Sequence, residues 1–265
     1  NQGSDPTISS VQASLGEFPV STVNVPFTVS GFSGGTIYYP RSGTTGTLGT
    51  IAMVPGFLSP ESSMSGFGMR MASFGFIAIT IATNSIFDQP DSRATQLGRA
   101  LDHVISLNNA SSSPIYGMVD PSRLGVIGVS MGGGGALKLA TGQRLKAAIP
   151  MVPWYIANND FDDISTPTMI IACENDTIAP VNQHGSAFYN TMPSSTSKAY
   201  LEINNGSHGC VAGLSSGDRI VLNKYSVSWM KRFIDDDTRY EQFLCGPNHD
   251  APNAVSEYRE NCSTY

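Results

Sequence analysis

Short runs of apolar and β-branched residues, bounded by glycine and proline, recur along the chain and alternate with longer stretches of helical spacing. Several runs are apolar at nearly every position, which is typical of strands buried on both faces. We therefore expect an α/β chain with a mostly parallel central sheet and helices on both of its faces. The predicted strands begin at Gly35, Gly49, Phe76, Arg123, Ala147, Thr168 and Ala199. The predicted helices are Met64–Ser73, Ser92–Leu107, Met131–Thr141, Asn182–Met192 and Arg219–Phe233.

Length and composition restrict the classes of function that this chain can serve. Its 265 residues, 40% of them hydrophobic, fit a single domain over residues 1–265, because one core grows to roughly 250 to 300 residues before chains split. No apolar run approaches the ~20 residues that cross a bilayer, so we expect no membrane partner. The formal net charge is −6 and no basic block occurs, which argues against nucleic acid as a partner. We expect a monomer.

The cysteines indicate an oxidising compartment. Cys173, Cys210, Cys245 and Cys262 form an even, sparse set with no Cys-x-x-Cys pair and none of the spacings of a zinc site. We favour two disulfides over metal ligation, with three pairings open, and expect neither a metal nor a cofactor. The N-terminal "NQGSDPTISS" does not have the positively charged and apolar pattern of a signal sequence, which is compatible with a mature chain after processing or with a cytosolic protein. We interpret the chain as the first, a secreted protein.

Beyond Phe233 the sequence turns polar, and from about residue 235 to 265 we expect an irregular tail. A cysteine stands near each end of this tail. A bridge between Cys245 and Cys262 would hold down a segment that has too few apolar residues to fix itself.

The pattern Gly-x-Ser-x-Gly, which marks the nucleophile elbow of α/β hydrolases, occurs at Gly31–Gly35, Gly128–Gly132 and Gly213–Gly217. Around the first, "VPFTVS" and "TIYYP" both have the composition of strands, so we expect a hairpin loop. No strand precedes the third. Only the second has a predicted strand before it and a predicted helix after it, which makes Ser130 the candidate nucleophile.

The glycines around Ser130 have a physical reason in such an elbow. Gly128 and Gly132 flank it because Cβ atoms there would collide across the turn. The row Gly133–Gly135 would let the helix approach the sheet, at a cost of roughly 0.5 to 1 kcal/mol per glycine relative to alanine. A phosphate-binding loop is the alternative, but the chain lacks the lysine or the glycine spacing of such loops.

A serine hydroxyl needs a base and an orienting acid, and in this fold they follow in the order serine, acid, histidine. Asp176 comes directly after the apolar run "TMIIACE", at the expected carboxyl end of a buried strand. Glu174 is the alternative acid, but we expect it to lie within the strand. The remaining carboxylates of this region, which we expect to be solvated in a loop, are Asp160, Asp162 and Asp163.

His208 is the favoured base among the histidines. It follows the predicted strand "AYLEIN" in the short glycine-bearing loop "NNGSHGC". His103 precedes the serine inside a predicted helix, His184 lies in the helix after the acid, and His249 lies in the tail.

The cysteines allow an independent check on these two assignments. Cys173 lies three residues before Asp176, and Cys210 lies two residues after His208. If they pair, the bridge connects the loop of the acid with the loop of the base, which must stay within hydrogen-bond reach of each other.

Six short motifs occur in one order along the chain: "PGF", "DQPDSRATQ", "GVSMGGGG", "VPW", "ACENDTIAP" and "NGSHGC". With these motifs the chain resembles the bacterial cutinases and the related polyester hydrolases, including those that cleave poly(ethylene terephthalate), or PET. The resemblance runs from about Ser14 to Cys262 and implies the α/β-hydrolase fold. The arrangement of the four cysteines resembles that of the polyester hydrolases with two disulfides, one of them beside the active site.

The resemblance implies a catalytic triad of Ser130, Asp176 and His208, with an oxyanion hole built from the backbone N–H groups of Phe57 and Met131. Phe57 follows the strand predicted from Gly49, as a second oxyanion donor should. The side chains implied to bind substrate are those of Phe57, Ser62, Phe87, Gln89, Val129 and Trp154.

Three positions depart from many of these relatives. Phe57 stands where tyrosine is common, Val129 where histidine or tryptophan is common, and Gly209 where some relatives have serine. These departures bear on substrate preference, and Val129 should widen the groove beside the nucleophile.

Many hydrolases of this fold insert a helical cap between late strands, but here only residues 153–166 separate two predicted strands. We therefore expect no cap domain and an open, shallow groove suited to polymer chains. The function expected is hydrolysis of polyester bonds. The alternatives are a carboxylesterase or lipase for short acyl esters and a binding protein without catalysis.

Overall fold

A nine-stranded sheet organises residues 2–249 and 253–265, the part of the chain that the computed structural model describes. Its strands are β1 (Val20–Val25), β2 (Gly35–Pro40), β3 (Leu48–Val54), β4 (Ile77–Ile81), β5 (Val119–Val129), β6 (Ala147–Met151), β7 (Thr168–Cys173), β8 (Lys198–Ile203) and β9 (Val255–Glu260). The helices are α1 (Ile8–Gln12), α2 (Ser65–Ser73), α3 (Pro90–Asn108), α4 (Met131–Ala140), α5 (Gly185–Thr191) and α6 (Ser216–Ile234). The seven strands and five helices whose positions are given above from the sequence are all present, with their ends shifted by a few residues.

The strand order is β1-β2-β4-β3-β5-β6-β7-β8-β9. Neighbours from β4 to β8 in this order run parallel, whereas β1, β2 and β9 run antiparallel to their neighbours at the two edges. This is the mostly parallel sheet of the α/β-hydrolase fold, as predicted. All nine strands lie in one sheet, which supports the proposal of a single domain over residues 1–265.

Helices cover both faces of the sheet. Strands β3, β4, β6, β7 and β8 are buried at every residue, with α3, α4 and α5 packed on one face and α2 and α6 on the other. The short helix α1 packs against α6. Continuous burial explains why these strands are apolar throughout.

The first edge of the sheet differs from the sequence-based prediction. Only Val25 of "VPFTVS" belongs to a strand, and the rest forms a turn in which the Val29 N–H donates to the Pro26 carbonyl. The strand assigned to this segment is therefore wrong, because the chain turns at Pro26. The real strand, β1, has a partly exposed pattern typical of an edge and was not predicted.

The tail also differs from its prediction. Its residues Val255–Glu260 form β9, which pairs antiparallel with β8. Its apolar side chains contribute to the core: Phe243 and Leu244 are fully buried, and the Tyr258 ring packs 5.3 Å from that of Tyr225. The expectation of an irregular tail with too few apolar residues to fix itself was therefore wrong. The sequence did not reveal these apolar residues because they are spaced too widely to form an apolar run.

Two disulfides are present, Cys173–Cys210 and Cys245–Cys262, which are the pairs considered from the sequence. The segment between β6 and β7, residues 152–167, contains no helix or strand, so the expectation that no cap is inserted there is confirmed. Within the described residues, no helix combines the length and the apolar character that spanning a membrane requires.

Replacing both Cys245 and Cys262 by serine should lower the free energy of unfolding by about 3 kcal/mol, because the unfolded chain regains the freedom that a bridge across 17 positions removes. Urea unfolding measures this loss, and faster amide exchange in β9 locates it. Unchanged stability together with unchanged exchange would contradict the role assigned to this bridge.

Candidate active site

Ser130 lies at a sharp bend between β5 and α4. Its backbone has φ 57° and ψ −118°, a conformation outside the regions that L-residues normally occupy. The bend is so tight that a Cβ atom at Gly128 would lie 1.9 Å from the carbonyl oxygen of Gly132. Glycine is therefore required at position 128, as predicted, and surrounding packing maintains the strained serine.

The glycines that follow Ser130 have two kinds of neighbour. A Cβ at Gly132 would lie 2.5 Å from the Pro55 carbonyl oxygen, so this glycine lets α4 approach the end of β3. A Cβ at Gly134 would lie 2.4 Å from the Trp154 carbonyl oxygen, in the loop after β6, and a Cβ at Gly135 would lie 3.0 Å from Arg93 Cβ, in the first turn of α3. For these two residues the predicted approach to the sheet is wrong, because they meet that loop and α3 instead.

The loops after three parallel strands bring Ser130, His208 and Asp176 together. Ser130 Oγ lies 2.9 Å from His208 Nε2, and His208 Nδ1 lies 2.6 Å from Asp176 Oδ2. Asp176 comes three residues after β7 and His208 five residues after β8. The carboxyl ends of β5, β7 and β8 share one edge of the sheet, so residues far apart in sequence form one hydrogen-bonded chain.

Asp176 is buried, with 5% of its surface exposed. Its Oδ1 accepts hydrogen bonds from the N–H groups of Ile178 and Ala179, each at 2.8 Å, which leaves Oδ2 to His208. Burial alone raises the pKa of this carboxyl, but the hydrogen bonds from His208 and the two N–H groups outweigh it and hold the pKa below 3.8. The carboxylate is therefore ionised at neutral pH and can stabilise a charged imidazole.

The alternative acids lie elsewhere. Glu174 is exposed just beyond the end of β7, not within the strand as expected, and its carboxylate accepts a hydrogen bond from the Asn205 N–H at 2.7 Å. Asp160, Asp162 and Asp163 are exposed on the connection between β6 and β7, in agreement with the prediction.

The other histidines have different neighbours. The His103 ring packs edge-on against Phe32 at 6.0 Å. The His249 ring lies 4.3 Å from that of Tyr258. His184 precedes α5 and is buried.

The Cys173–Cys210 bridge connects the end of β7 to the 3₁₀ segment that begins at His208. A backbone hydrogen bond of 2.8 Å from Asn175 N–H to the Gly206 carbonyl joins the same two loops. The bridge therefore connects the loop that carries the carboxylate with the loop that carries the imidazole, as the sequence suggested.

The backbone after β3 passes in contact with the nucleophile. A Cβ at Gly56 would lie 3.0 Å from Ser130 Cβ, so the peptide N–H of Phe57 is next to the serine. Met131 is the first residue of α4 and its N–H has no acceptor within the helix. Across residues 2–249 and 253–265, neither of these two N–H groups donates to a protein acceptor, which leaves both available to an oxygen of a ligand.

A groove of about 260 Å³ opens over Ser130 and His208. Phe57 and Val129 line it, in agreement with the expectation from the resemblance. Its other lining residues are Gly56, Ser59, Ser63, Met64, Phe67, Gly209, Val211 and Ala212. Most of these belong to α2, the turn before it and the segment after His208. Sequence reasoning named Gly209 and included Gly56 only within the motif "PGF"; it missed the rest, which no motif marks.

The four other residues expected to bind substrate, Ser62, Phe87, Gln89 and Trp154, lie outside this lining. Phe87 is 61% exposed and packs edge-on against Phe57, with ring centroids 5.7 Å apart. The side-chain amide of Gln89 donates to the Phe87 carbonyl at 3.2 Å. Ser62 is exposed and adjoins the lining residue Ser63 in the chain.

Trp154 is joined to the nucleophile through the backbone. Its N–H donates to the Ser130 carbonyl at 2.9 Å, and its half-buried indole stacks on His184 with centroids 6.0 Å apart and planes at 23°. Burial lowers the pKa of His184, so this ring is neutral at neutral pH. Sequence reasoning considered His184 only as an alternative base and missed its contact with Trp154, which no local pattern indicates.

Backbone strain is concentrated around these loops. Among the described non-glycine residues, positive φ occurs at Leu58, Ser130, Val152 and Asn205, which follow β3, β5, β6 and β8, and also at Asp236. Such strain persists where surrounding structure enforces it and is common at functional sites.

A protein-family model described as PET hydrolase-like matches residues 1–263 of the chain. The chain belongs to the PET hydrolase-like family. It is 49% identical to Cutinase 1 of Thermobifida cellulosilytica, over 98% of this chain and 97% of that protein. It is 49% identical to a cutinase of Thermobifida fusca, over 98% and 84% of the two chains. It is 46% identical to a bis(hydroxyethyl) terephthalate hydrolase of Streptomyces coelicolor, over 98% and 81%.

Gly128→Ala should lower the free energy of unfolding by about 3 kcal/mol or more, because the new methyl group would clash with the Gly132 carbonyl. Gly66 is the matched control, since a Cβ there meets nothing within 4 Å. Gly66→Ala in α2 should raise stability by roughly 0.5 to 1 kcal/mol. Urea unfolding compares the two; similar effects at both positions would refute the steric argument.

Stability should depend on pH through Asp176. Because its folded-state pKa is lowered, its ionised form adds stability that is present above the unfolded-state pKa and lost as pH falls through the folded-state pKa. Wild type should therefore exceed Asp176→Asn in stability near neutral pH, with the difference shrinking below about pH 4. Urea unfolding from about pH 6 to about pH 2.5 measures this difference; a constant difference across that range would contradict the assignment.

Proposed function

We propose that this protein is a secreted serine hydrolase that cleaves the ester bonds of polyesters, of both the cutin and the aromatic type. Ser130 is the nucleophile, His208 the general base and acid, and Asp176 the residue that orients the imidazole. The observation that carries the proposal is the hydrogen-bonded chain from Ser130 Oγ through His208 to Asp176, at 2.9 and 2.6 Å, at a strained strand-to-helix bend. Membership of the PET hydrolase-like family supports it.

Acylation follows from this geometry. Ser130 Oγ attacks the ester carbonyl carbon while its proton passes to His208 Nε2. The carbonyl oxygen becomes an oxyanion that the N–H groups of Phe57 and Met131 bind, an interaction stronger in the transition state than in the substrate. Asp176 stabilises the imidazolium. When the intermediate collapses, the C–O bond to the alcohol breaks and His208 returns the proton to the leaving oxygen.

Hydrolysis of the acyl-enzyme repeats these steps with water. His208 Nε2 takes a proton from water as the water oxygen attacks the acyl carbon. The same two N–H groups bind the second oxyanion. Collapse breaks the bond to Ser130 Oγ, which regains the proton from His208, and releases the carboxylic acid.

The surroundings of Ser130 favour a polymer as the substrate. The connection between β6 and β7 contains no helix or strand that could cover the site. Phe57, Phe87 and Ile178 are 40%, 61% and 60% exposed. An open groove with apolar residues at its margin fits a long aromatic or aliphatic ester chain. The names cutinase and bis(hydroxyethyl) terephthalate hydrolase, borne by relatives, agree with this class.

The remaining substrate contacts are proposed on the same basis. Phe57 and Val129 line the groove, and Phe87 extends the aromatic surface of Phe57. Trp154 offers an indole next to the nucleophile. The side chains of Ser62 and Gln89 complete the proposed set. The two disulfides favour an oxidising compartment, which supports secretion.

Ser130→Ala should leave the fold intact and reduce kcat/KM for p-nitrophenyl butyrate by about 10⁴-fold or more, because the attacking oxygen is lost. Circular dichroism checks the fold, and steady-state kinetics measure the loss. A fluorophosphonate probe should label wild type and not the variant. Retained turnover would mean that another residue is the nucleophile, whereas an inactive, unlabelled wild type would favour a binding protein.

Comparison of substrates separates polyester hydrolysis from short-ester hydrolysis. Wild type should release soluble acid and alcohol fragments from PET or aliphatic polyester film, with Ser130→Ala as the control for non-enzymatic release. Rapid turnover of short acyl esters without release from any film would favour a carboxylesterase.

A further inference from the structure

Arg93, in the first turn of α3, is fully buried and has no carboxylate within salt-bridge distance in the described part of the chain. Burial lowers the pKa of its guanidinium, and the negative charge of Asp88 partly opposes that effect. Burying a cation is unfavourable unless its N–H groups are satisfied. The acceptors that satisfy it therefore reveal what the residue does.

All three nitrogens of the Arg93 guanidinium donate to backbone carbonyls. Nη1 donates to Pro55 at 2.9 Å, Nη2 to Ile86 at 3.2 Å, and Nε to Asp88 at 2.8 Å. Pro55 follows β3, whereas Ile86 and Asp88 belong to the loop between β4 and α3. The guanidinium thus joins the two loops that carry Phe57 and Phe87.

The turn that presents the Phe57 N–H lies between two of these contacts. The Ser59 N–H donates to the Gly56 carbonyl at 3.2 Å, which closes a turn over residues 56–59, and Leu58 has a φ of 59° in this turn. The Leu58 N–H in turn donates to the Ile86 carbonyl at 2.9 Å. The Ile86 carbonyl therefore accepts from both Leu58 and Arg93.

Arg93 consequently holds the turn on both sides of Phe57. It binds the carbonyl of Pro55, two residues before Phe57. It also binds the carbonyl of Ile86, which accepts the N–H of Leu58, the residue after Phe57. Its own backbone is fixed by close packing against Gly135 of α4, the helix that begins next to Ser130. One rigid, planar cation thus links the strained turn to the nucleophile helix.

We propose that Arg93 is a positioning residue that fixes the backbone N–H of Phe57 as an oxyanion donor. The proposal rests on the oxyanion role of Phe57 proposed above. Oxyanion donors act by being preorganised at the position where charge develops. A small displacement of the turn should therefore weaken binding of the transition state more than binding of the ester.

Arg93→Gln tests this on p-nitrophenyl butyrate. We expect kcat to fall by about 10- to 100-fold, because misplacing a donor costs part of what its removal costs, while KM changes by less than about threefold. The affinity of a phenylboronic acid, whose adduct with the serine places an oxygen at the oxyanion position, should fall in parallel with kcat. Should Arg93→Gln fail to fold, Arg93→Lys carries the same comparison with the charge retained.

Arg70 provides a matched control. It is also buried, with 3% exposed, and its guanidinium also donates to backbone carbonyls, namely those of Val11, Ala13 and Asn223 near the N-terminal helix. Arg70→Gln should lower the melting temperature but leave kcat within about twofold at a temperature where both variants are folded. This contrast separates loss of stability from loss of positioning.

Rescue by a small molecule is a second readout that a purely structural role would not produce. Methylguanidinium added to Arg93→Ala should restore part of kcat, and it should not change kcat of Arg70→Ala. Folded Arg93 variants with wild-type kcat and boronate affinity would overturn the proposal, as would an equal loss of kcat in the Arg70 variants. An inactive wild type would instead refute the proposed function itself.

Discussion

The steric contact between Gly128 and the Gly132 carbonyl is the constraint on which the site depends. A Cβ atom at position 128 would collide with this carbonyl, and glycine has none. The chain can therefore turn from β5 into α4 within one residue, Ser130, which takes a φ of 57°. A serine held in this way projects from the edge of the sheet with the N-terminus of a helix behind it. In the mechanism proposed above, the helix dipole and the N–H groups of Phe57 and Met131 stabilise the negative charge that develops on a reacting ester.

The parallel sheet supplies the partners of this serine. Strands β3, β5, β6, β7 and β8 end at one edge of the sheet. The loops after them therefore lie close together although they are far apart in sequence. Several of these loops are strained, with positive φ at Leu58, Val152 and Asn205. Cross-links join these loops: the Cys173–Cys210 bridge connects the loops after β7 and β8, and Arg93 connects the loop after β3 to the loop after β4. Preorganisation of this kind allows a small set of polar groups to act together.

Much of the site could be predicted because its residues follow strong local signals. Asp176 and His208 each come shortly after an apolar run, and Ser130 lies between a run and a glycine-rich helix. The groove lining could not be predicted in the same way. Met64, Phe67 and Val211 are ordinary apolar residues in sequence, and only the packing of α2 and of the segment after His208 beside Ser130 makes them line the groove. The contact of His184 with Trp154 was missed for the same reason, since this stack joins two separate loops.

The sequence by itself determined the α/β class, the positions of the buried strands along the chain, the elbow serine and its two partners, because burial and tight turns impose residue types on neighbouring positions. Tertiary structure decided the edges of the sheet, where β1 and β9 are too exposed to have continuous apolar runs. It also decided which carbonyls the buried Arg93 would bind and which side chains would surround the serine. Those outcomes depend on distances between segments remote in the chain, and a linear pattern does not contain such distances.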